Sequence, residues 1–135
     1  MILLICNSSG VPFYHKKIGN GGIEIKDTDM YLLSGLISAV AHISKFIFNK
    51  DIAEFYIGKN REHRITIIIN DNYLTGKSVY FVYLSDGGIE IQKAKGLASA
   101  IFIGAKKLLI EGEPNFNLMT EKIDKIIKNI NISLK

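Results

Sequence analysis

Between Met30 and Phe48 the sequence carries one fixed charge, Lys45; the rest is apolar or small and uncharged apart from His42. Asp27, Thr28 and Asp29 precede the run with N-cap and first-turn chemistry, so it reads as a helix reaching to about Asn49. At 100° per residue, Leu32, Leu36, Ala39, Val40, Ile43, Phe46 and Ile47 form the stripe expected to face a sheet. Leu33, Ile37, Ala41 and Phe48 then fall on the flank and back. A helix that is apolar nearly all round is covered on both sides. The second cover has three possible sources: a bilayer, the chain's own later helices, or a partner. His42, Lys45 and three serines weaken a membrane span, and polar caps at both ends suit a helix in water. The later helices each carry a single apolar face of their own. The reading carried forward is a partner surface at Leu33, Ile37, Ala41 and Phe48, with no stable membrane insertion.

Around this helix the periodicity alternates between strand and helix. Ile2 to Cys6 is a continuous apolar run, a buried strand; Asn7-Ser8-Ser9-Gly10 is a turn; Val11 to Ile18 returns as a second strand. Pro12 suits the start of a strand or an edge position. After the helix come strands at Ile52 to Gly58, Arg64 to Asn70 and Ser78 to Ser85, joined by short polar links that favour antiparallel pairing. Two more helices follow, at roughly Gln92 to Ile110 and Met119 to Ser133, separated by Gly112, Pro114 and Asn115. In the first of these Ala94, Ala98, Ile101, Phe102, Ala105, Leu108 and Leu109 point inward, with Ile103 an exposed misfit. In the last, Met119, Ile123, Ile126, Ile127, Ile130 and Leu134 share one face. The expected fold is α/β of the α+β type: a five-stranded antiparallel sheet sandwiched by helices, in the order β-β-α-β-β-β-α-α, forming one domain over 1–135. Gly21-Gly22-Ile23-Glu24-Ile25 is repeated at Gly87-Gly88-Ile89-Glu90-Ile91, but unequal spacing beyond it argues against a repeat architecture.

Composition narrows the function. With 135 residues, 47% hydrophobic and 22% charged, the chain is an ordinary globular domain. A single cysteine, Cys6, excludes an internal disulfide and a cysteine-based zinc cluster, and its apolar strand makes an inert thiol. The net charge is +4, but only 2 of the 17 basic residues are arginine, which leaves little for a nucleic-acid surface. Heavy use of isoleucine and lysine suggests an AT-rich coding background, archaeal or from a eukaryotic parasite. The first residues lack the basic segment and length of a leader, so a cytoplasmic location is expected.

Catalytic and ligand chemistry is sparse. Asp71 to Ser78, DNYLTGKS, ends like a phosphate-binding loop, but an aspartate stands where its first glycine belongs, and a strand follows instead of a helix. His15, His42 and His63 have no ligand spacing. The carboxylate pairs Asp27/Asp29 and Glu111/Glu113 flank helices and are explained by capping and loop polarity. Lys59, Arg61 and Arg64 make the densest cationic cluster, a solvated hairpin tip that offers a contact for an acidic partner. No cofactor, metal or catalytic residue is expected.

The whole pattern resembles the longin domain of the SNARE-like superfamily, related to roadblock domains. The resemblance is carried by the opening strand, by Ser9-Gly10-Val11-Pro12-Phe13-Tyr14, and by the acidic cap leading into Leu33-Ser34-Gly35-Leu36-Ile37-Ser38-Ala39-Val40. It implies a non-enzymatic scaffold that forms a homodimer or heterodimer with another longin or roadblock protein, often through the first helix or a sheet edge. It also implies a role in vesicle-trafficking adaptors or with a small GTPase, and would suit an archaeal longin protein. No heptads follow the domain and no prenylation cysteine ends it, which removes a direct role in membrane fusion. Two other classes share the layout: a profilin-like actin-binding protein and a PAS-like sensory domain with an internal ligand pocket.

Overall fold

The computed structural model describes residues 1–19, 24–71, 78–87, 89–110 and 116–134, without the side chains of residues 107, 108, 110, 116 and 131–134. The Gly21-Gly22-Ile23 repeat with its second copy's Gly88, the core of the DNYLTGKS stretch, the helix break at Gly112 to Asn115, and the Glu111/Glu113 pair lie outside the described residues, as do the side chains of Leu108 and Leu134.

Eight elements appear in the expected order: β1 (Ile2–Asn7), β2 (Pro12–Lys17), α1 (Asp29–Phe48), β3 (Glu54–Ile57), β4 (His63–Asn70), β5 (Val79–Ser85), α2 (Ile91–Ile110) and α3 (Phe116–Leu134). The five strands form one antiparallel sheet in the order β2-β1-β5-β4-β3. Every residue of β1 and β5 is buried, which explains their uninterrupted apolar runs: both faces of a central strand leave water. Pro12 begins the edge strand β2, where a missing N–H costs no ladder bond to an outer neighbour. The chain divides into two compact units, Met1–Ile89 and Glu90–Lys135.

In the first unit, α1 lies on one face of the sheet. Met30, Ile37 and Ala41 join Ile2, Leu4, Cys6, Ile65, Ile67, Tyr80, Val82 and Leu84 in a single core cluster. The β1–β2 turn is fixed by Asn7, whose Oδ1 accepts the N–H groups of Ser9 at 2.9 Å and Val11 at 3.0 Å. The turn also touches the helix. Ser38 Oγ donates to the Ser8 carbonyl at 2.7 Å, and a Cβ added to Gly10 would sit 3.3 Å from Gly35 Cα. Gly10 has φ +80°, so an alanine there combines left-handed strain with that close backbone approach. Gly10→Ala is expected to cost about 1–2 kcal/mol, read as a lower urea midpoint at unchanged m-value.

The α1 termini differ from expectation at one end. Thr28 is the N-cap residue, but it has helical φ/ψ and makes no side-chain cap bond. The entry is instead wound through backbone turns, Asp29 N–H to Lys26 O at 2.9 Å and Met30 N–H to Asp27 O at 3.2 Å. Asp29 still puts a negative charge in the first turn. At the other end Asn49 adopts the left-handed conformation at φ 53°, a role asparagine fills when glycine is absent.

In the second unit, α2 buries Ala94, Leu97, Ala98, Ile101, Ala105 and Leu109, and α3 buries Met119, Ile123 and Ile127. Gly104 meets the Ile126 side chain, so the two helices approach closely there. Ala105 departs from helical geometry at φ −117°, ψ 15°, a kink in α2 that the periodicity did not show. Ile103 is exposed, as its position predicts.

Candidate interaction surface on the first helix

The structure turns α1 roughly half a revolution from the expected orientation. Ile37 is 0% exposed, Ala41 is buried, and Leu33 is half-buried against the core cluster; of the four expected partner residues, only Phe48 is open to solvent. The stripe expected to meet the sheet faces outward instead. Leu32 is 74% exposed and Phe46 91%, and Leu36, Ile43 and Ile47 are also exposed. The physical reason is size. The inward line of α1 combines Met30 and Ile37 with the small Ser34 and Ala41, which let the helix axis approach the sheet. Ser34 is tolerated there because its hydroxyl donates to the Met30 carbonyl at 2.8 Å, one turn back.

The outward residues carry a signal of their own. Leu32, Leu36, Ala39, Ile43 and Phe46 are spaced four, three, four and three apart, the 3.5-residue period of a seam that packs against another helix. Ile47 and Phe48 extend the apolar surface at its C-terminal end. The spacing is present in the sequence, but a helix with one face on a sheet puts the same residues against that sheet.

The other anticipated groups are dispersed. Arg64 Nε donates to Glu54 Oε2 at 2.9 Å, Arg61 lies 5.3 Å over the Tyr56 ring, and His63 Nδ1 donates to Asp86 Oδ1 at 2.9 Å. The hairpin tip's two arginines are thus engaged with their own strands, leaving Lys59 as its outward cation among the three residues proposed for acidic contact. His15 stands 3.7 Å from Asp27, and His42 Nδ1 lies 2.6 Å from the Ser38 carbonyl. No group of three histidine, cysteine or acidic residues converges to hold a metal among the described residues. Cys6 is fully buried, and burial pushes its thiol up to about 12 against a weaker opposing effect of its contact with the Ser34 side chain. Of the phosphate-loop-like stretch, Asp71 and Ser78 are described: Ser78 Oγ donates to Asp71 Oδ1 at 2.7 Å, and β5 follows directly.

Two surface cavities flank the first unit's core. One, of about 270 Å³, is walled by His15, Asp27, Lys17 and Glu24; Lys17 pairs with Glu24 at 3.5 Å, and His15 stands beside Asp27. The other, of about 240 Å³, lies beside the C-terminal half of α1. By length and composition α1 is also apolar enough to cross a membrane, but its inner line is seated in the core cluster.

No family model matches the sequence, and no curated protein matches it. Among solved structures, the chain is similar to the gliding protein MglB from Thermus thermophilus, at 13% identity and a TM-score of 0.46. The match covers 70% of this chain and 66%, just under two thirds, of that one. The fold is α+β, with a five-stranded antiparallel sheet and three helices in the order β-β-α-β-β-β-α-α.

Proposed function

We propose that this chain is a non-enzymatic interaction module: one longin-like domain that dimerises, with itself or with a related longin or roadblock protein, and binds or regulates a small GTPase or serves a trafficking-type adaptor. The outward stripe of α1 carries the reading. Leu32, Leu36, Ile43, Phe46, Ile47 and Phe48 are all large apolar side chains exposed on this one helix. Apolar surface gathered in one place marks an interaction site more often than singly scattered residues do. The 3.5-residue spacing favours a helix as the occupant. The seating of Ile37 and Ala41 in the core supports a protein partner over a bilayer, because insertion would have to strip that inner line. A cytoplasmic location goes with this reading. The small-GTPase partner rests on the longin resemblance.

Light scattering tests the first part. The wild-type chain is expected at about twice its 15.1 kDa mass, either alone or with a co-purified longin-like partner of similar size. Leu36→Glu combined with Ile43→Glu places two charges in the seam and should return the mass to 15.1 kDa with unchanged circular dichroism. A wild-type chain that is monomeric at about 100 μM and captures no longin-like protein defeats the dimerisation reading. Pull-downs against small GTPases in both nucleotide states test the second part.

A further inference from the structure

We draw no further inference here: the strongest candidate, the outward apolar stripe of α1 from Leu32 to Phe48, belongs to the surface already described, and nothing in the structure shows what covers it.

Discussion

Ile37→Lys should unfold the protein under conditions in which Phe46→Lys leaves it fully native. Both substitutions put the same ammonium on the same helix, nine positions apart. Ile37 is 0% exposed and packs in the cluster formed by the even positions of β1 and β5 with α1. The described side chains that form the cluster around it are hydrophobic. Placing an unpaired charge there, with the loss of a buried isoleucine, costs about 4 kcal/mol or more, against a total stability of about 5–15 kcal/mol. Phe46 is 91% exposed, so its replacement changes monomer stability by about 0.5 kcal/mol at most. Urea unfolding followed by circular dichroism separates the two outcomes. Ile37→Val, at about 1 kcal/mol, confirms burial without relying on a variant that fails to fold. A folded Ile37→Lys with a wild-type midpoint would mean that the other side of α1 faces the sheet.

That contrast marks where the sequence stopped being legible. The strands were readable because they obey one rule each: Ile2 to Cys6 is apolar without interruption and proves central, while Pro12 marks an edge. The order of strands across the sheet was not readable. That β1 lies between β2 and β5 is decided by long-range pairing, such as Ile5 with Phe81, which no local pattern encodes. The rotation of α1 was hidden for a different reason. When apolar residues surround a helix, the wheel has no preferred direction, and the choice falls to shape. Ser34, read as polar, is buried because its own helix satisfies the hydroxyl; Leu32 and Phe46, read as core, are too bulky for the close approach that Gly10 makes to Gly35. The cavity beside the C-terminal half of α1 was illegible altogether, since residues as far apart in sequence as His42, Asp51, Asp71 and Tyr80 line it.

The same core predicts a steep alkaline loss of stability that passes through one atom. Cys6 lies beneath α1, and burial raises its thiol from 9.0 to about 12 in the folded state. The folded chain therefore holds the thiol proton over a range in which the unfolded chain releases it. Where the native state binds more protons, stability falls as pH rises. The thiol's contribution is fully present below about pH 9 and lost progressively toward pH 12, by about 1.4 kcal/mol per unit and about 4 kcal/mol at most. Tyr80 is also raised by burial and acts in the same direction. Cys6→Ala separates the thiol from this background: it costs about 1 kcal/mol at pH 7 through lost packing, but its stability should decline less steeply above pH 9, so the two curves converge or cross. A thiol-specific reagent supplies the independent check. At pH 8 the native chain should react only as fast as it opens, and at once when unfolded in guanidinium chloride. Parallel alkaline slopes for wild type and Cys6→Ala, with rapid labelling of the native thiol, would show that α1 does not cover Cys6, and the core on which the outward stripe depends would have to be redrawn.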